Sequence, residues 1–172
     1  MRSSQLLLFL VLALLTTLSH CEKRFTTRQQ VYDACKVIET NTTAFLEDYV
    51  SPSVNWTVTN PTRKTTPIAG DYLDLKSFVT QALMPLDAFF EEPLRLTIVD
   101  LITQFPKKEH PDGLVKVCME LRGRGNLKRD GSPWENYYSW VLHFKGTKAI
   151  LVRAYLDSAL VNIAMLPNRT SS

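Results

Sequence analysis

The sequence predicts an α+β domain in which helices gather on one side of a long, curled antiparallel sheet. Helical periodicity dominates the first half of the chain, alternating strand patterns dominate the second half, and short turns separate the later strands. The pattern is clearest at 134–166, where two apolar runs flank a turn at 145–148 and a short helical segment follows. At 172 residues, 45% apolar and 22% charged, the chain suits one globular domain.

Residues 1–21 are predicted to be a secretory signal peptide, which leaves the folded domain at 22–172. Arg2 precedes an apolar run at 6–15, and cleavage could follow Ser19 or Cys21. This run is too short to span a bilayer, although a membrane anchor is the alternative reading. We therefore expect the protein to be secreted.

Three Asn-X-Thr sequons fit a secreted glycoprotein, at Asn41, Asn55 and Asn168. Asn55 belongs to a predicted strand at 54–58, where side chains alternate between the two faces. If Asn55 carries a glycan it faces solvent, so Trp56 faces the interior.

The helices of the first half are predicted from capping and spacing. Thr27 and Gln30 form a capping-box pattern, and a helix with an apolar stripe follows. A shorter helix precedes the strand at 54–58, and another apolar stripe begins at Leu75 and is interrupted near Pro85.

The remaining strands are predicted at 94–104, 114–124, 135–144 and 149–157. Asp157 ends the last one and precedes the terminal helix, so we interpret it as an N-cap. Because both faces of these strands are partly apolar, the outer face is predicted to form a homodimer. Its candidate contacts are Tyr137, Val141, His143 and Tyr155.

Charge and cysteine content exclude several classes of function. The formal net charge of +3 gives no reason to expect nucleic acid or an anionic membrane as partner. Cys35 and Cys118 could form a disulfide in an exported protein or remain free thiols, and both readings stay open. No cysteine and histidine spacing suits zinc, so no metal is predicted.

Several motifs together resemble the SnoaL-like branch of the nuclear transport factor 2-like superfamily. They are Trp56 in the first strand, the Pro-Ile-Ala-Gly loop at 67–70, the Leu-Arg-Gly strand end at 121–123 and the Arg-Ala-Tyr-Leu-Asp ending at 153–157. The resemblance covers about 27–166. It implies a cone-shaped, curved antiparallel sheet wrapped around helices and enclosing an apolar pocket.

The resemblance also assigns strand faces. The residues that it points into the cone are Cys118, Glu120, Arg122, Asn136, Tyr138, Trp140, Val152, Ala154 and Leu156. Similar families include polyketide cyclases, ketosteroid isomerases, dehydratases, epoxide hydrolases and non-catalytic binding proteins, so the fold alone does not fix the function.

Glu120 is the first catalytic candidate, because a carboxylate inside the cone would be desolvated and suited to proton transfer. Arg122 or Tyr138 would stabilise an enol or alkoxide, although Glu120 and Arg122 could equally form a structural ion pair. Substrate contacts are predicted at Trp56, Trp140 and Leu156, where plain core packing is the alternative.

This chain has only some of the residues that the catalytic branches of these families use. The epoxide-hydrolase branch uses an Arg and two Asp residues, and the matching positions here are Cys118, Glu120 and Ala154. The dehydratase branch uses two inward histidines, whereas His110 lies in a predicted turn and His143 on the outer face.

The function predicted is that of a secreted, cofactor-independent isomerase, cyclase or lyase of secondary metabolism, acting on an apolar polyketide- or terpenoid-like metabolite. Two alternatives stay open. One is a secreted protein that binds such a ligand without chemistry, and the other is an interaction module that works through the outer sheet face.

Overall fold

The computed structural model of the protein describes residues 23–62, 65–106 and 113–166. The predicted signal peptide, Asn168 and His110 lie outside the described residues. The strands are β1 (Val50–Val58), β2 (Gly70–Tyr72), β3 (Arg95–Gln104), β4 (Val115–Asn126), β5 (Pro133–Lys145) and β6 (Lys148–Leu156).

Helices precede β1, connect β2 to β3 and follow β6. They are α1 (Arg28–Lys36), which continues into a 3₁₀ turn (Val37–Glu39), then α2 (Thr42–Tyr49), α3 (Leu75–Phe78), α4 (Met84–Asp87) and α5 (Ser158–Ala164). A π-helical turn (Val79–Leu83) joins α3 to α4, so the two form one continuous helical segment. Pro85 lies in the first turn of α4, directly after this π-helical turn.

The predicted caps are confirmed. The Thr27 side chain accepts a hydrogen bond from the Gln30 N–H, and the Gln30 side chain binds the Thr27 backbone in return. The Asp157 carboxylate accepts hydrogen bonds from the N–H groups of Ala159 and Leu160 at the start of α5. Each cap satisfies donors that a helix start leaves without intrahelical partners.

The six strands form one curved, open sheet in the order β2-β1-β6-β5-β4-β3. The α+β class is confirmed, but the sheet is mixed, because β1 pairs with β6 in parallel while all other pairs are antiparallel. The prediction of an all-antiparallel sheet is therefore wrong in this pair. Alternation locates strands along a chain but carries no information about which strand becomes a neighbour.

The core lies between the concave sheet face and the helices. Trp56 of β1 is fully buried and stacks on Phe78 of α3, with ring centroids 3.7 Å apart. Phe144 of β5 packs edge-on against Phe25, with centroids 5.3 Å apart. Large aromatic side chains thus fix the helices to the sheet, as burial of their area favours.

The edge strand β3 is covered by side chains of the first helical segment. Arg28 donates to the Leu101 carbonyl at 2.8 Å, and the Ile98 N–H donates to the Glu39 carboxylate at 2.9 Å. These contacts satisfy backbone groups that an edge strand otherwise offers to another chain.

Among the described residues, no helix is both long and apolar enough to cross a membrane.

Candidate functional site

A cavity of about 400 Å³ opens between the concave face of the sheet and the helical segments. Its sheet wall is formed by Tyr138 and Trp140 of β5 with Ala154 and Leu156 of β6. Leu83 and Leu86 contribute to the helical wall, and the lining is mostly apolar. Such a cavity suits a small apolar molecule fixed by a few polar groups.

Asp87 is one of two half-buried carboxylates that line this cavity, and Glu39 is the other. Asp87 ends α4, and its Oδ1 accepts a hydrogen bond from the Leu94 N–H at 3.5 Å. Burial raises the pKa of the Asp87 carboxyl above its ordinary value, while the hydrogen bond from Leu94 opposes the rise. A carboxylate with a raised pKa binds a proton more strongly than an exposed one, which suits a general base.

Tyr138 faces the same cavity from β5 and is only 6% exposed. Its hydroxyl has no hydrogen-bond partner among the described residues. Burial, and then the nearby charge of Asp87, raises the pKa of Tyr138 above its ordinary value. The phenol therefore stays protonated at neutral pH and keeps its hydrogen-bond donor.

A glycine makes room for the Tyr138 ring. A Cβ atom at Gly123 of β4 would lie 2.8 Å from Tyr138 Cε2 and 3.2 Å from its hydroxyl. Real side chains do not approach so closely, so the ring occupies its position because residue 123 has no side chain.

Of the three predicted substrate contacts, Trp140 and Leu156 line the cavity. Trp56 does not line it. Its ring stacks on Phe78 and meets Trp140 edge-on, with centroids 5.1 Å apart, so it supports the Trp140 wall from behind. Trp56 is therefore a core residue, which was the alternative to the predicted substrate contact.

The predicted inward orientation of Glu120 and Arg122 is wrong. The buried side chains of β4 are Val117, Met119 and Leu121, and Leu121 pairs with the inward Tyr138. Glu120 is exposed on the opposite face, where burial cannot desolvate it. The described contacts contain no ion pair between Glu120 and Arg122. The orientations predicted for β1, β5 and β6 are confirmed by burial.

Cys118 also lies on the outer face rather than inside the cone. It is a free, exposed thiol whose Sγ is 3.6 Å from Ser139 Oγ. Cys35 is a free thiol buried in the core, and burial raises the pKa of Cys35 to about 12. The two cysteines therefore lie on different sides of the sheet and form no disulfide.

Within the described ranges, no group of three or more His, Cys, Asp or Glu residues is arranged to hold a metal ion.

The sequence-based reasoning missed Asp87, although a signal for it exists. Asp87 follows Val79 and Leu83 at steps of four residues, so it continues the apolar stripe of this helical segment. A single carboxylate on an apolar stripe is either exposed to solvent at the end of the helix or buried together with the stripe. The π-helical turn at Val79–Leu83 shifts the register just before it, and such turns are frequent at functional sites.

No protein-family model matches the sequence, and no curated protein matches it. Solved structures do. An NTF2-like protein from Burkholderia thailandensis E264 superposes with a TM-score of 0.60 at 19% identity, covering 83% of this chain and 100% of that one. A protein described as a SnoaL-like polyketide cyclase, from Jannaschia sp. CCS1, gives 0.57 at 9% identity, covering 84% and 99%.

A third structure, from Catenulispora acidiphila DSM 44928, is described as having a ketosteroid isomerase-like fold and is in complex with trimethylamine. It gives a TM-score of 0.55 at 15% identity, covering 86% of this chain and 100% of that one. This protein therefore has the nuclear transport factor 2-like fold that the sequence motifs predicted, and SnoaL-like proteins share it. At these identities the likeness concerns the fold, so the chemistry rests on the cavity itself.

Proposed function

We propose that the protein is a cofactor-independent enzyme that moves a proton on an apolar, oxygenated small molecule held in the cone. The observation that carries this proposal is the juxtaposition of Asp87 and Tyr138 in one apolar cavity, where the charge of the first acts on the second. Asp87 takes the place that sequence reasoning gave to Glu120. Isomerisation, cyclisation and elimination each begin with such a proton transfer.

The proposed step is proton abstraction next to a carbonyl group. The Asp87 carboxylate removes a proton from the carbon α to the carbonyl, and the electron pair moves onto the carbonyl oxygen. The Tyr138 hydroxyl donates a hydrogen bond to this developing enolate. Asp87 then returns the proton to a carbon or to the departing group, so no external oxidant or reductant is needed.

The apolar walls serve this step in two ways. They exclude water, which strengthens the hydrogen bond from Tyr138, and they hold a ring-shaped substrate in one orientation. The two aromatic rings of Trp56 and Trp140 contact each other edge-on, which keeps the Trp140 wall rigid. We therefore propose a polyketide- or terpenoid-like ring compound as the substrate.

The test is deuterium exchange at the α carbon of 2-tetralone, a bicyclic ketone, followed by proton NMR in D₂O. The wild type should accelerate exchange, and Asp87→Asn and Tyr138→Phe should each lower the protein-dependent rate about 100-fold. If both variants exchange as fast as the wild type, the proposal is wrong. Binding of 2-tetralone without any acceleration would favour the ligand-binding alternative, in which the same cavity holds its ligand without chemistry.

We also propose that two copies associate through the outer sheet face, the surface formed by β3–β6 opposite the cavity. Ile102, Tyr137 and Tyr155 are large side chains exposed on the described part of this face, at 64%, 48% and 48%. Sedimentation velocity should report a dimer for the wild type and a monomer for Tyr137→Glu. A monomeric wild type would contradict this reading.

Secretion and glycosylation remain part of the proposal. Asn41 and Asn55 are exposed, and Asn41 uses only its Oδ1 as the cap of α2, which leaves its Nδ2 available for a glycan. Expression in a eukaryotic secretory host should give protein in the medium that begins after residue 21 and carries glycans at the sequons. Retention inside the cell without glycans would contradict this expectation.

A further inference from the structure

The mouth of the cavity lies at the start of α2 and at the segment that leads into β3. A residue that both lines the cavity and is exposed to solvent borders its opening. Among the described residues that line the cavity, the exposed ones are Thr40, Asn41, Thr43, Pro93 and Arg95. The first three lie at the N-terminus of α2, and the other two lie just before and at the start of β3. A group attached to any of them would therefore stand at the opening.

Asn41 can be modified at this mouth, because Asn41-Thr42-Thr43 is a glycosylation sequon. Its Oδ1 accepts a hydrogen bond from the Ala44 N–H at 2.9 Å, which fixes the side-chain amide at the start of α2. A glycan is attached through Nδ2 of the same amide, an atom that the cap does not use. The first sugar of such a glycan would therefore begin at the cavity mouth.

The other sequon within the described ranges lies away from the mouth. Asn55 is exposed in β1, where its neighbours Val54 and Trp56 are buried, so its side chain points to the outer face of the sheet. Asn55 is not among the residues that line the cavity. The chain thus offers one sequon at the mouth and one on the opposite face, and the second serves as an internal control.

We propose that a glycan on Asn41 partly covers the cavity mouth and slows the entry and release of ligands, since N-linked glycans are bulky. The proposal rests on the proposed secretion, because the glycan is attached in the secretory pathway. The cavity walls include Leu86 and Trp140, which are buried, so a glycan at the mouth does not contact a molecule bound against them. It therefore lowers the association and dissociation rates by the same factor and leaves the dissociation constant unchanged.

The experiment uses Prodan, a neutral naphthyl ketone whose fluorescence increases in apolar surroundings, as the probe of the cavity. Thr43→Ala removes the sequon but keeps the Asn41 cap, whereas Thr43→Ser keeps both and is the matched variant. Both variants are produced in a eukaryotic secretory host and mixed with Prodan by stopped flow. Thr43→Ser should show association and dissociation rates about tenfold lower than Thr43→Ala, with equal dissociation constants.

Two controls identify the glycan as the cause. Peptide N-glycosidase removes the glycans of Thr43→Ser and converts each glycosylated asparagine to aspartate, a residue that also caps helices. This treatment should raise the rates to those of Thr43→Ala. Asn55→Gln, which removes only the glycan on the outer face, should keep the rates of the wild type.

Mass spectrometry of the secreted wild type shows whether Asn41 carries a glycan. An unoccupied Asn41 in secreted protein, equal rates for the two Thr43 variants, or no binding of Prodan by either of them would overturn this proposal. Its failure is distinguishable from failure of the proton-transfer proposal, because the glycan effect on Prodan does not require catalysis. The effect should persist even if the wild type failed to exchange 2-tetralone.

Discussion

The two faces of the sheet carry similar residue types but offer them very different surroundings. On the inner face, Asp87 meets Tyr138 in an apolar cavity closed by helices. On the outer face, Glu120 and its cross-strand neighbour Asp100 are exposed. A carboxylate gains unusual proton affinity from burial and neighbours rather than from its residue type. The comparison therefore places the candidate chemistry on the inner face.

Neighbouring residues of one strand show the same contrast. In β4, Met119 and Leu121 are fully buried, while Cys118 and Glu120, which alternate with them, are exposed. A shift of one residue would exchange these two sets completely. The inner face consequently tolerates little change, whereas the outer face can change without affecting the cavity.

The largest expected effect is on the stability of the inner face. Trp56→Ala removes a fully buried ring that stacks on Phe78, and it should lower the free energy of unfolding by about 3–5 kcal/mol. Tyr155→Ala, on the half-exposed outer side, should cost about 1 kcal/mol or less in the monomer. Urea unfolding of both variants measures the difference, and equal losses would contradict the division into two faces.

A pair of glycine substitutions in β4 separates packing from chemistry. Gly123→Ala would bring Cβ to 2.8 Å from the Tyr138 ring, and Gly125→Ala would bring it to 2.9 Å from the Phe90 ring. Each should lower stability by about 1–3 kcal/mol. Only Gly123→Ala should also reduce exchange of 2-tetralone, because it displaces the proposed oxyanion donor. Equal exchange rates in the two variants would refute a positioning role for Gly123.

Asp87→Asn should show a pH-dependent effect on stability. Burial raises the pKa of Asp87 in the folded protein, so the wild type loses stability as the pH rises through this folded pKa. The variant cannot ionise and avoids this loss. The stability of the variant relative to the wild type should therefore increase from about pH 3, below the unfolded pKa of Asp, toward neutral pH. Urea midpoints across this range would contradict the account if the difference stayed constant or fell.

The smallest effect is expected at Glu120 on the outer face. Glu120→Gln should change the free energy of unfolding by no more than about 0.5 kcal/mol, as is usual for exposed positions. It should also leave the rate of 2-tetralone exchange unchanged. A large loss in either measurement would mean that the outer face takes part in the function.

Much of the fold could be predicted from the sequence, because alternation and capping are local signals. Strand positions, the capping box at Thr27 and the N-cap at Asp157 all follow from neighbouring residues. The parallel pairing of β1 with β6 could not be predicted in this way, since it depends on which distant strand completes the sheet.

The site was predicted in part, and the error in β4 has a clear cause. Simple alternation of Val117, Met119 and Leu121 favours burying these apolar residues, which is what the structure has. The resemblance to a family suggested the opposite register and drew Glu120 inward. Asp87 was missed because its environment depends on a π-helical turn and on the packing of a helix against β5, which no local pattern specifies.

The most direct test of the inner-face assignment is the pH dependence of 2-tetralone exchange in the wild type, Glu120→Gln and Asp87→Asn. Because the ionised carboxylate is the base, the wild-type rate should rise as the pH increases through the raised pKa of Asp87. Glu120→Gln should reproduce this profile with the same midpoint, and Asp87→Asn should lose the protein-dependent rise. A profile that disappears in Glu120→Gln and persists in Asp87→Asn would contradict the assignment.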